Sequence, residues 1–277
     1  MAILSISNEF KSGASEIGHA IEKQLGYAFL SQSQIMHEAS QAGKEWARFT
    51  KEYGSAAPTI WERYDWSFMG FMALVQSITL DHALQDNTVI MSRGANYLLK
   101  DIPHILRIRV AAPQERRIER IMAQEGLSWK TARLLVKKAD HEVISAIQQL
   151  YGKKWSDPIA YEIRFDTSMN ETGQIAESIK SLLVAKDHLK TPKGQRLLEM
   201  RALAAKIKAR IFINPKFFIP TLEVKSTPEG ISLHGVARSI KEHQAIHEEV
   251  KGIAQGTPVK CTILYRGMMS AKSHPLD

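Results

Sequence analysis

Six consecutive residues, Lys11-Ser12-Gly13-Ala14-Ser15-Glu16, lie between an apolar run (Ala2, Ile3, Leu4, Ile6) and a helical pattern in which Ile17, Ile21 and Leu25 recur four apart. Strand, small-residue turn and helix in that order build an anion site, because the turn's N–H groups and the helix N-terminus converge where a phosphate fits. A working loop of the G-x-x-x-x-G-K-[ST] type needs more. Small residues let its backbone wrap the phosphates, a Lys reaches the β/γ oxygens, and a hydroxyl holds magnesium. Here Lys11 stands where the first glycine is wanted and no Lys follows Gly13. Ser12 or Ser15 could offer the hydroxyl to Mg2+, and Lys11 could swing over the phosphates as a movable point charge. The bland reading, that Lys11 points to solvent, is favoured because a side chain there obstructs the backbone's approach. The shape of a phosphate loop is written here; its chemistry is worn away.

Other chemistry-bearing residues are scattered. Arg93 follows the apolar run Thr88-Val-Ile-Met91, and Arg116 and Arg120 lie one turn apart on an arginine-rich helix from Gln114 to Gln124. His243 and His247, four apart on a helix, have a metal-compatible spacing but no carboxylate or thiol placed to complete a set, so a solvated face is expected. Cys261 sits in an alternating strand and reads as a small core residue. Trp61, Tyr64, Trp66, Phe68 and Phe71 could stack on a base, but aromatics at helical spacing belong more often to a core.

The elements that must position these residues alternate. Short apolar runs at 2–6, 27–30, 88–91, 104–110 and 161–165 interleave with helical patterns at 17–25, 34–53, 66–84, 114–124, 132–151 (in two segments) and 172–183. Such alternation argues for an α/β fold, a parallel sheet with helices on both faces. Residues 186–193 read as a polar linker closed by Pro192. A helix (194–210), two alternating strands around a Pro228-Glu229-Gly230 turn, a helix capped by Ser239 and a last strand from Val259 to Tyr265 follow, a small α+β module over 194–270 with a tail at 271–277.

The chain has 277 residues, 44% hydrophobic and 24% charged, with one cysteine, which excludes an internal disulfide and a cysteine-built metal site. No apolar run approaches a membrane span, and no basic stretch with an apolar core opens the chain, so a cytoplasmic protein is expected, peripheral to a membrane complex at most. The net charge of +8 is uneven: residues 1–185 carry 21 charges of each sign, residues 186–277 carry 16 Lys/Arg against 8 Asp/Glu. A basic module on a neutral body suits an acidic partner.

Several ordered motifs over residues 1–184 resemble the bacterial cytidylate-kinase-like family of P-loop nucleoside-monophosphate kinases. Ser5-Ile-Ser-Asn-Glu-Phe10 with Ser12-Gly13 and Glu16-Ile17-Gly18 is similar to its S-R-E-[YF]-G-S-G-G-R-E-I-G. Val89-Ile-Met-Ser-Arg93-Gly94-Ala95-Asn96 is similar to its V-I-V-G-R-G-A-N. Val110-Ala-Ala-Pro113 with Arg116, Arg120 and Glu125-Gly126-Leu127-Ser128 resembles its V-A-P, arginine helix and R-E-G-L-S; Asp140, Trp155-Ser-Asp-Pro158 and Tyr161 to Thr167 resemble its closing motifs. The C-terminal module resembles the BON domain in topology and in Gly235.

The resemblance implies transfer of the ATP γ-phosphoryl group to a nucleoside monophosphate with Mg2+, by positioning and charge neutralisation. It also implies that Arg93 faces the acceptor's phosphate. The departures fall on the donors. Asn8, Lys11, Ala14 and Ser15 replace the family's first arginine, two glycines and second arginine in the loop. In the lid, Asp140-His141-Glu142-Val143 replaces D-R-x-R. The expectation is a protein that has lost phosphoryl transfer and acts as a regulatory scaffold or binding module. The alternatives are an active kinase using Lys11, Arg93, Arg116 and Arg120, or a nucleotide sensor holding phosphate at Ser12, Gly13, Ala14, Ser15, Glu16 and Arg93. The implied partner is a protein, acidic or membrane-associated, met through the 194–270 module; a homo-oligomer is left open, and nucleic acid is disfavoured for want of a recognition motif.

Overall fold

The computed structural model describes residues 2–43, 46–47, 49–50 and 65–265. Two compact units divide the chain, one of residues 1–60 with 85–194, the other of residues 61–84 with 195–277.

The first unit carries a five-stranded sheet of β1 (Ile3–Asn8), β2 (Ala28–Ser31), β3 (Thr88–Met91), β4 (Ile105–Ala111) and β5 (Ile163–Asp166). Its order is β2-β3-β1-β4-β5 and every pairing is parallel, with Ile3 opposite Ile105 and Leu4 opposite both Val89 and Leu106. Parallel strands buried on both faces read as continuous apolar runs, which is why β1 is buried from Ile3 to Ser7. The helices are α1 (Ala14–Leu25), α2 (Gln32–Gln41), and, after the second unit's α3 (Trp66–Ala83), the short α4 (Ala95–Leu98), α5 (Gln114–Glu125), α6 (Trp129–Tyr151) and α7 (Thr172–Asp187). Ile17 and Ile21 of α1 and Ile175, Ile179 and Leu183 of α7 share a core with Leu4, Ile6, Val89 and Leu106.

Three expectations change. Residues 132–151 form one helix with Trp129–Ser128 at its head, not two segments, because no Gly or Pro interrupts it; Ser128 Oγ accepts the Thr131 N–H as its N-cap. The helical pattern from Gln34 is seen as α2, starting at Gln32 on a Ser31–Gln34 capping box and ending at Gln41; its continuation falls largely outside the described residues. The 186–193 segment is no free linker. α7 runs on to Asp187, Lys190 pairs with Asp86, and Lys186 pairs with Glu162 at 2.6 Å and donates to the Pro103 carbonyl.

In the second unit, α8 (Pro192–Ile213), β6 (Glu223–Thr227), β7 (Gly230–Ala237), α9 (Ile240–Ala254) and β8 (Val259–Tyr265) follow the expected order. β6 and β7 pair antiparallel as a hairpin, and β7 and β8 pair parallel. Gly235 lets the chain close over β7: a Cβ there would meet Ile219 Cγ2 at 2.9 Å. The domain boundary differs from the sequence reading, since α3 belongs with this unit. Trp66 stacks at 4.4 Å on Phe212 and 5.0 Å on Phe218, and Ala73 lies in the core with Met200, Ile207 and Leu233. Trp66, Phe68 and Phe71 are therefore packing residues and not base platforms; Trp61 and Tyr64 lie outside the described residues. Cys261 packs half-buried against the same core, and burial pushes its thiol pKa up.

Among the described residues no helix is long and apolar enough to cross a membrane.

Candidate nucleotide site

β1 ends at Asn8, and the chain turns through Glu9 and Phe10 into α1. The Ser12 N–H donates to the Glu9 carbonyl at 3.0 Å, and Lys11 and Gly13 take the left-handed conformation at φ +58° and +90°. A residue with a Cβ, as Lys11 is, takes that conformation at a cost of about 1–2 kcal/mol. Gly13 caps α1 with no side-chain bond, leaving the first N–H groups of the helix available. Lys11, Ser12, Gly13, Ala14, Ser15 and Glu16 all line one cavity of about 360 Å³, together with Asn8, Arg120 and Gln124. The loop the sequence describes is built.

Its charges are spent elsewhere. Lys11 Nζ donates to Gln124 Oε1 at 2.8 Å and pairs with Glu125 at 3.0 Å. Its ammonium is thus paired on the protein surface and not free in solvent. Arg120 is bound into the loop's wall: it donates to the Lys11 carbonyl at 3.0 Å and to Thr167 Oγ1 at 3.1 Å, and Thr167 in turn donates to the Ser12 carbonyl at 2.7 Å. Ser12 Oγ is buried without a hydrogen-bond partner, whereas Ser15 and Glu16 are exposed on the first turn of α1.

Arg93 and Arg116 do not join this cavity. Arg93 lines a second one, about 240 Å³, with Ser7, Asn8, Gln32, Ser92 and Trp155, and its backbone N–H donates to Gln32 Oε1. Its guanidinium faces Glu142 of α6 at 3.8 Å, both side chains largely buried. Arg116 is exposed, pairs with Glu119 at 3.2 Å, and borders a third cavity of about 450 Å³ beside Arg120 and Thr167.

A polar network beyond the predicted residues joins β1, β4, α5 and α6. Arg117 donates to both oxygens of Asp140 at 2.8 Å and to the Ala112 carbonyl at 3.1 Å, fastening α5 to α6. Glu9 accepts from Arg109 at 3.0 Å and from the Ala112 N–H at 3.2 Å, and lies 3.6 Å from Arg117. Arg109 also donates to the Trp155 carbonyl and stacks 4.1 Å over its ring, while Trp155 Nε1 donates to Ser7 Oγ. The available signal was Arg109, with Arg107, in a strand whose other residues are apolar, since a charge buried in a parallel sheet must be paired.

The residues present fit the shape of an ATP–Mg2+ site but not its donor set. Among the described residues no three His, Cys, Asp or Glu are grouped to hold a metal. His243 and His247 stack on each other at 4.5 Å with Tyr265 beside them, and burial lowers the His247 pKa, with His243 adding to it.

A family model described as the cytidylate kinase-like family matches residues 3–169, more than half of the chain. No curated protein matches significantly. Among solved structures, an uncharacterized protein from Eubacterium ventriosum aligns at 18% identity and TM-score 0.51, covering 66% of this chain and 98% of its own. Shikimate kinase from Acinetobacter baumannii in complex with shikimate aligns at 14% identity and TM-score 0.38, covering 67% and 94%. Deoxyadenosine kinase from M. mycoides, with dCMP and dCDP bound, aligns at 15% and 0.36, covering 66% and 99%. At such identities the likeness speaks to the fold alone, and the last two TM-scores are too low to add weight. The sheet order, the β1–α1 loop and the family match over residues 3–169 together place the assignment: this chain belongs to the cytidylate kinase-like family.

Proposed function

We propose that this protein has lost phosphoryl transfer and works as a regulatory or partner-binding module, through its kinase-like first unit and its C-terminal, BON-like unit. The observation that carries the reading is the Glu142 carboxylate beside Arg93. Phosphoryl transfer is catalysed by cations around the migrating group, and losing one arginine contact of that kind costs about 10³- to 10⁵-fold in rate. In this chain the lid helix presents the opposite sign at the arginine that the family resemblance would assign to the acceptor's phosphate. The pairing of Lys11 with Glu125, and the use of Arg120 to hold the loop wall, support the same conclusion. The C-terminal unit would then meet an acidic protein, in a cytoplasmic setting.

The test is phosphoryl transfer from ATP to CMP, with Mg2+, by purified protein, run beside a thermal-shift series with ATP, ADP and CMP. No turnover is expected. Turnover abolished by Arg93→Ala would overturn the proposal. The left-handed turn at Lys11 and Gly13 favours one second reading, nucleotide binding without transfer. A ligand at 100 times its Kd stabilises by about 2.7 kcal/mol, so a shift without turnover would select it.

A further inference from the structure

The lid helix α6 turns an unusual face outward. Ala132 and Val136 bury a narrow stripe against Ile118 and Ile121 of α5, and nearly everything else in its first three turns is exposed. From Trp129 to Ala139 there are four cations and no carboxylate: Lys130, Arg133, Lys137 and Lys138. Leu134, 61% exposed, sits opposite the buried stripe, and residues three and four away on a helix are its surface neighbours. Lys130, Lys137 and Lys138 occupy those positions, so the leucine stands in a ring of lysines. Elsewhere on the same helix Trp129 and Ile144 are each about half exposed, and the Arg133 guanidinium lies 5.2 Å over the Trp129 ring. Among the described residues Glu142 reaches these cations, 3.9 Å from Lys138.

We infer that this face of the lid helix docks the protein on an anionic lipid surface. Charge complementarity requires an anionic partner, and the composition chooses among anionic partners. Protein interfaces deplete lysine and concentrate charge at the rim, whereas here lysines surround the central apolar residue. Lysines around an exposed Leu are the pattern of an interfacial helix: the apolar group enters the headgroup boundary while the ammonium groups stay with the phosphates. This inference goes beyond the loss of transfer and does not rest on it; the surface lies on α6 and not on the basic C-terminal unit.

The experiment is co-sedimentation of the full chain with vesicles of phosphatidylcholine containing about one third phosphatidylglycerol, against pure phosphatidylcholine. Binding to the anionic vesicles alone is expected, collapsing as salt rises from about 0.05 to 0.5 M. One Lys near such a surface is worth about fivefold in partitioning, so Lys130→Gln with Lys137→Gln should weaken binding about 30-fold. Leu134→Ser should weaken it at every salt concentration. All three positions are exposed, so an unchanged melting temperature certifies the fold. Equal binding by the double variant would move the site elsewhere and overturn the inference. So would absence of vesicle binding, including the case where an acidic protein or an oligonucleotide is bound instead.

Discussion

Arg117→Leu should unfasten the lid helix from the arginine helix. The side chain is 6% exposed, Asp140 22% and Glu9 13%, and the substitution removes two 2.8 Å bonds to Asp140 together with the 3.1 Å bond to the Ala112 carbonyl. Breaking a buried ion pair by removing one partner costs about 3–5 kcal/mol, because the other charge is left uncompensated. Asp140 can rehydrate through its exposed edge, which sets the figure near the lower end, about 3 kcal/mol. For a unit of this size that corresponds to roughly 6–12 °C in Tm. Arg117→Lys should fall between, since an ammonium cannot reproduce the two parallel bonds. Urea titration gives the total, and amide exchange across β4, α5 and α6 locates it in the first unit. Adding Asp140→Leu to Arg117→Leu should restore about 1–3 kcal/mol, the coupling energy of residues in one network. A loss below about 1 kcal/mol, with exchange in α6 unchanged, would reduce the network to an ordinary surface pair and refute the reasoning.

Three further outcomes follow from particular side chains. His104 is fully buried with neither ring nitrogen hydrogen-bonded, and burial, then Lys190, lower its pKa. The unfolded chain therefore takes up this proton first as pH falls, so stability should decline below about pH 6.5. His104→Leu should flatten that slope, by up to about 1.4 kcal/mol per pH unit, at little cost near pH 8; a slope left intact in urea midpoints would tell against it. In the second unit, burial pushes the Glu242 pKa up, but hydrogen bonds from Arg238 and the Phe218 N–H outweigh it and hold the carboxylate below its usual range. That contribution is complete above the unfolded pKa of about 4.3 and fades as pH falls through the folded one, so Glu242→Gln should cost about 1–3 kcal/mol at neutral pH and blunt the acid transition. Gly94 sits at φ +84°, where a Cβ would lie 2.2 Å from the Tyr151 ring; Gly94→Ala should cost more than about 2 kcal/mol and displace the Tyr97–Tyr151 stack, visible in near-UV circular dichroism.

The first unit was legible because a sheet covered on both faces makes its strands mostly Val, Ile and Leu, as Ile3 to Ile6 and Ile105 to Val110 are apart from Ser5, Arg107 and Arg109. The allegiance of α3 was not. Its apolar residues run around the whole helix, so the pattern declares burial without naming the partner, and Trp66 finds Phe212 across some 146 residues of chain. The site divides the same way. Backbone needs are local, and the turn at Lys11 and Gly13 could be read from five residues. Which carboxylate meets which cation is a matter of folded distance: Lys11 finds Glu125, and Arg117 finds Asp140, from segments the sequence leaves unrelated. These pairs do not weigh equally on function. Lys11–Glu125 is partly exposed, and such pairs are worth about 0–1 kcal/mol, so an arriving phosphate could displace it. The Arg93–Glu142 pair is the more buried of the two, with side chains 20% and 11% exposed, so separating it costs more. An anion arriving at Arg93 would have to displace a largely buried carboxylate, whereas at Lys11 it would meet a partly exposed pair.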